Sequence, residues 1–364
     1  MNKLTPYATR LCGIGFSVIA AMTVLLGLSL LLKWQPVSSV NAQTVTIGLI
    51  TDIGGVNDKA FNQLSYQGLL RAQSELGIVG KVYSSTTPAD YGPNLQQCVT
   101  DGSSLCITVG FLMANDTLNA ATTYTRTKFA TVDYDYSSNG YPSNLQGMIF
   151  AEKEAGYLAG VLAGKMTHSN VVGVVGGIAV PPVVRYAEGY RNGARCANLT
   201  VTVILSYTNS FVDPALGAQV AQSMLAQRAD VIFGAGGNTG NGAVLTATQS
   251  GAWGIGVDID QYYTLFLSGT VSGSNKLLTS AMKKVDGAVF SVIADVVSNT
   301  FTSGTVTYTV AKNGVGLAPF HEADPSVPQA VRNELESVEQ GIANKTIDVN
   351  GPCPSKVYLP FIKK

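Results

Sequence analysis

TVTIGLITDIGGVNDKAFNQLSYQGL, residues 44–69, changes its hydrophobic period part-way along. Val45–Thr51 is a short apolar run rich in β-branched residues, as a buried strand requires. Gly54 and Gly55 supply a turn, and beyond Asp58 the residues Phe61, Leu64, Gly68 and Leu69 recur at helical spacing. A strand that turns through glycine into a helix is half of a βαβ unit. The same alternation recurs with KVYSSTT, SLCITVG, KFATVDY, NVVGVVG, TVTVILS, DVIFGAG and GIGVDID as strand candidates, separated by amphipathic stretches such as GAQVAQSMLAQRA. Near-continuous apolar strands alternating with helices predict parallel sheets covered on both faces, an α/β architecture.

The chain has 364 residues, which exceeds one ordinary domain of roughly 100–200 residues and predicts two doubly wound lobes. Neither an internal repeat nor a low-complexity linker separates two halves, so the expected division is discontinuous. Residues 44–137 with 260–304 form one lobe, and 138–259 with 305–364 the other. In such sheets ligands gather beyond the carboxyl ends of the strands. Asp52, Asp133, the Gly236–Gly237 pair and Asp258 each stand at a predicted strand exit.

Only 13% of residues are charged, with 23 basic against 23 acidic ones, which excludes the basic footprint of a nucleic-acid binder. Residues 13–32 are uncharged and follow Lys3 and Arg10, which marks a membrane-targeting segment. Its length suits a bilayer span of about 20 residues, so residues 1–42 are either an uncleaved anchor or a signal peptide cut after Val40-Asn41-Ala42. Either way the globular part is expected outside the cytoplasm. Losing residues 1–42 removes Lys3, Arg10 and Lys33 and no acid, leaving a net charge of −3.

Cys98, Cys106, Cys196 and Cys353 remain beyond that segment. An even number outside the cytoplasm suggests disulfides, with a short-loop Cys98–Cys106 bridge leaving Cys196 for Cys353; buried free thiols are the alternative. With no CxxC pair and only His168 and His321, a metal site is not expected.

Catalysis has little to work with. GxSxG and HExxH elements are absent, and the carboxylate pairs Asp52/Asp58 and Asp258/Asp260 have simpler roles as turn formers and helix caps. GAGGNTGNG, residues 234–242, fits neither GxxxxGK[ST] nor a clean GxGxxG. Its glycines can supply a tight turn, or close backbone approach and free amides at a helix start. Phe61 at helical spacing is either core or, beside Asn62 at the strand exits, a flat surface with an amide at its edge for a heteroaromatic ligand. Phe211 repeats the arrangement ahead of a helix announced by Asp213 and Pro214. Two phenylalanines from opposite lobes could hold a planar base between them.

DIGGVNDKAFNQLSYQG, VGFLMAND, KFATVDY, EAGYLAGVLAGKMT, VVGVVGG with RYAEGYRNGA, NSFVDPALG, IFGAGGNTGNG, GIGVDIDQ and LLTSAMKKVDGAV, in this order and spacing, resemble the basic membrane protein family of ABC-transporter substrate-binding proteins. Better understood members of that family bind nucleosides, often purine nucleosides. The resemblance implies a type I periplasmic-binding-protein fold, with two Rossmann-like lobes, three crossovers and a central cleft. By motif position it implies that Phe61 and Phe211 stack on the base, and that Asn62 and Asp133, with Asp52 nearby, meet polar edges of the ligand. Gly237, Asp258 and Lys283 would hold the ribose hydroxyls, since a carboxylate accepts two hydrogen bonds and a lysine donates. It further implies a monomer without cofactor or enzymatic activity that hands its ligand to an ABC permease. The chain departs from many family members in having no lipobox cysteine between Cys12 and Cys98. A sensing domain for a membrane partner, or a nucleoside-cleaving enzyme using the aspartates, are the competing functions.

Overall fold

A computed structural model of the chain describes residues 44–137, 140–351 and 353. The targeting segment of residues 1–42 lies outside these described residues. Among them, no helix is long and apolar enough to cross a membrane.

The strands are β1 (Thr46–Ile50), β2 (Val79–Tyr83), β3 (Leu105–Val109), β4 (Lys128–Val132), β5 (Leu145–Phe150), β6 (Val171–Gly176), β7 (Thr202–Tyr207), β8 (Val231–Ala235), β9 (Trp253–Asp258), β10 (Leu277–Lys283), β11 (Gly304–Tyr308) and β12 (Val315–Leu317). They form two six-stranded sheets, in the orders β2-β1-β3-β4-β5-β11 and β7-β6-β8-β9-β10-β12. Every pairing is parallel except β10 with β12. β3 and β8 lie inside their sheets and are buried at each position, which is why LCITV and VIFGA read as continuous apolar runs.

The two sheet orders match when each of β1–β5 is set beside the strand five places later, so the fold carries an internal duplication. Strand order records it where residue identity does not.

The eight strands expected from sequence are all present, with KVYSSTT displaced, since β2 starts two residues before it and ends at Tyr83. β5, β10, β11 and β12 are additional, and the first three correct the lobe boundaries. Residues 145–150 and 305–308 belong to the first sheet instead of the second lobe, and residues 277–283 to the second sheet instead of the first. LQGMIF and LLTSAMK contain Gln, Met, Ala and Lys with few β-branched residues, so local propensity does not announce a strand. Burial between two neighbouring strands imposes the conformation. These two strands occupy equivalent places, and each runs directly into an interlobe crossover.

The chain passes to the second lobe after Phe150, where Ala151 N–H donates to Tyr308 carbonyl at 2.9 Å. It returns after Lys283 into helix Val285–Val297, which packs on helix Phe61–Leu76 of the first lobe, and crosses again between β11 and β12. Both disulfides are formed, Cys98–Cys106 and Cys196–Cys353, with Cα–Cα separations of 6.2 and 5.2 Å. The first ties helix Tyr91–Thr100 to β3 and the second ties helix Pro181–Ala197 to the C-terminal segment.

Candidate functional site: an interlobe cleft

The carboxyl ends of both sheets contribute to one cleft enclosing about 720 Å³, part of it open to solvent. Asp52, Phe61, Asn62, Asp133, Phe211, Gly237, Asp258 and Lys283 all line it.

Asp133 and Asp258 stand at equivalent strand exits, after β4 and at the end of β9, and both have left-handed backbones with φ of 73° and 64°. Aspartate tolerates that region better than most residues.

The first-lobe wall is a chain of hydrogen bonds. The Asp58 carboxylate accepts from the backbone N–H groups of Ala60, Asn62 and Gln63 and from Asn62 Nδ2, at 2.9–3.0 Å. The cap expected of Asp58 is therefore present, and it also orients the Asn62 amide, whose Oδ1 accepts from Asp52 N–H at 2.9 Å. The Asp52 carboxylate accepts from Ile53 N–H and from the Tyr91 hydroxyl. Burial pushes the Asp52 pKa up, against the lowering effect of those two donors. Gly110 has φ of 125°, and a Cβ there would stand 3.1 Å from Asp52 Oδ2 and 3.5 Å from the Phe61 ring. Glycine keeps this corner of the cleft open.

Phe211 forms the opposite wall. Its ring lies against the backbone after β6, where a Cβ on Gly177 would come within 2.4 Å of it. Gly237, with φ of 57°, begins helix Gly237–Gln249 under the Phe211 carbonyl. Gly177 thus seats the aromatic ring, while Gly237 of GAGGNTGNG makes room for the Phe211 backbone. Asp213 caps the following helix by accepting from Leu216 N–H at 2.9 Å.

Between the walls lies a buried charge cluster. Lys283 Nζ is 2.5 Å from Asp133 Oδ1 and 2.9 Å from Glu152 Oε1, while Arg185 Nε is 2.7 Å from Glu152 Oε2. Lys283 and Glu152 are almost wholly buried, at 2% and 0% side-chain exposure. Burial alone would lower the Lys283 pKa, but Asp133, Glu152 and Asp258 outweigh it and hold the amine cationic. Asp258 has no such salt bridge; Tyr186 OH approaches it at 3.4 Å. Burial raises Asp258 to about 7, with Lys283 opposing and Asp133, Asp58 and Glu152 reinforcing. Burial also raises Asp133 to about 6, Lys283 again opposing and Glu152 reinforcing. Lys283 Nζ stands 5.0 Å from the ring centres of Phe61 and Phe150. The cluster joins β4, the first crossover helix and β10, so it sits where the lobes are hinged.

Tyr91, Glu152, Arg185, Tyr186 and Asn238 were not singled out from sequence. Glu152 and Arg185 look like ordinary helix-surface charges in EKEAGY and RYAEGY, and only a fold that buries Glu152 beside Lys283, with Arg185 half-buried against it, shows otherwise. Asn238 stood within a segment already noted, GAGGNTGNG, and lines the cleft.

Residues 45–352 match the family model described as ABC transporter substrate-binding protein PnrA-like. The chain belongs to this family. Among curated relatives, the ABC transporter nucleoside-binding protein BmpA of Lactococcus lactis subsp. cremoris is 32% identical over 308 residues, covering 80% of this chain and 86% of that protein. The CD4+ T-cell-stimulating antigen of Listeria monocytogenes serovar 1/2a is 31% identical over 327 residues, 85% of this chain and 89% of that one. A solute-binding protein of an ABC transporter system from Aeropyrum pernix K1 shares the fold with a TM-score of 0.75 at 24% identity, covering 86% of this chain and 94% of that chain. As a PnrA-like protein the chain is a substrate-binding component of an ABC transporter, with a ligand and a membrane permease as partners.

Proposed function

We propose that this PnrA-like protein binds a purine nucleoside in the interlobe cleft, outside the cytoplasm, and delivers it to its permease. The observation that carries this reading is the pairing of two aromatic walls from opposite lobes, Phe61 and Phe211, around one cleft lined also by Asp258 and Lys283. The rings offer stacking surfaces to a base. Asn62, Asp52 and Asp133 offer hydrogen-bonding groups for its edges, and Gly237, Asp258 and Lys283 for the ribose. Closure needs no chemistry, because a ligand touching both lobes favours their approach by differential affinity. The name of the Lactococcus relative supports the nucleoside class.

Local charge sharpens the class. Asp52, Asp58, Asp133 and Asp258 line the cleft with Lys283, whose charge is already matched by Asp133 and Glu152. A phosphate would enter an acidic site whose described lining holds no free cation. Nucleoside 5′-monophosphates are therefore expected to bind at least tenfold more weakly than the parent nucleosides in calorimetric titration; equal affinity would remove this account of the charge.

Calorimetry with inosine, guanosine and adenosine, together with native mass spectrometry of protein from its own host, tests the assignment. One nucleoside bound intact per chain is the expected result; release of free base would mean an enzyme. Phe211→Ala is expected to weaken binding by about 1–3 kcal/mol, the scale of base–aromatic stacking. Unchanged affinity would take Phe211 out of the site.

A further inference from the structure

Among the described residues, besides the crossovers and the Lys283 cluster, two side-chain hydrogen bonds span the lobes, and both end on one short segment. Asn241 Nδ2 donates to the Asp58 carbonyl at 3.2 Å, and Thr264 Oγ1 donates to the Lys59 carbonyl at 3.2 Å. The acceptors are consecutive carbonyls, and Lys59, which carries the second, has a left-handed backbone with φ of 57°. That conformation is uncommon for lysine and needs outside support.

Asn241 is equipped to give that support. Gln261 Nε2 donates to Asn241 Oδ1 at 2.7 Å, and Gln261 N–H is itself held by Ser280 Oγ at 3.0 Å. With its oxygen so occupied, the Asn241 amide must present its nitrogen to Asp58. The same nitrogen lies 3.3 Å from Oδ1 of Asn238, a cleft residue. Asn241, Gln261 and Asp58 are all nearly or wholly buried, so water does not readily replace these bonds. On the other side, the Asp58 carboxylate fixes the start of the Phe61 helix and the Asn62 amide.

We infer that Asn241, oriented by Gln261, is a positioning residue that clamps the Asp58–Lys59 segment across the lobes, making the wall of Phe61 and Asn62 rigid only while the lobes are together. Asn241 does not line the cleft; it acts through Asp58. The consequence is kinetic. A ligand enters while the clamp is open, and leaves only after the clamp breaks, so the clamp governs dissociation more than association. The inference rests on the cleft being the ligand site.

The test is Asn241→Leu, which keeps the volume and removes the donor, with Gln261→Met as a second variant that frees the amide to rotate. Stopped-flow binding of guanosine is expected to show dissociation about tenfold faster, with association changed less than twofold. Hydrogen exchange of the ligand-free proteins is expected to show faster exchange at residues 60–63, in the first lobe, although the substitution is in the second. Loss of affinity through slower association, or unchanged exchange at residues 60–63 in both variants, would overturn the clamp. Should the wild type bind no nucleoside, the nucleoside reading falls, and the ligand-free exchange still decides the clamp.

Discussion

Lys283→Met is expected to destabilise the folded protein by about 3–5 kcal/mol at pH 8, the scale for removing one partner of a buried ion pair. The substitution keeps much of the volume and leaves Asp133 without its cation, while Glu152 retains Arg185. A proton can replace the missing charge on Asp133, whose pKa already stands at about 6 with the lysine present and must rise without it. The deficit should therefore shrink as pH falls from 8 to 5. Urea unfolding of wild type and variant at both values measures it. An equal deficit at the two pH values would mean that the loss comes from packing and not from the orphaned carboxylate.

Acidification should weaken nucleoside binding, by up to about tenfold per pH unit below about 7, because Asp258 must be ionised to accept from two ribose hydroxyls. Ligand-free stability runs the other way. Asp258 and Asp133 hold protons more tightly in the folded chain than in the unfolded one. Their contribution to stability is full below the unfolded pKa of about 4 and is lost as pH rises through about 6–7. Calorimetric titrations and unfolding curves between pH 5 and 8 should thus show opposite slopes, and Asp258→Asn should flatten both. Asp258→Ala should cost ribonucleosides more affinity than free bases. Parallel losses for ribonucleoside and base would mean that Asp258 does not contact the sugar.

These expectations rest on groups of unequal legibility. Asp133 and Asp258 were visible because each ends an apolar strand, where a charged residue marks the edge of the sheet. Phe61 and Phe211 were visible as aromatics beside helix starts, and Asp58 as the cap it proves to be. Their roles toward a ligand came from resemblance to a family, since spacing alone left Phe61 as either core or wall. Lys283 had no local signal, because LLTSAMK does not read as a strand, and its place at a strand end was hidden with it. Glu152 and Arg185 were hidden for a related reason: helical periodicity cannot say which charged residue faces a hinge.

Residue order by itself determined the α/β class, the polar strand exits and the pairing partners available to four cysteines, because these depend on periodicity and neighbours along the chain. The tertiary structure alone decided which lobe owns β5 and β10, and it alone brought Glu152, Arg185 and Lys283 together with Asp133, and Asn241 together with Asp58. Those outcomes depend on partners up to 183 residues apart. At such distances, burial between neighbouring strands and compensation of buried charge outweigh local propensity.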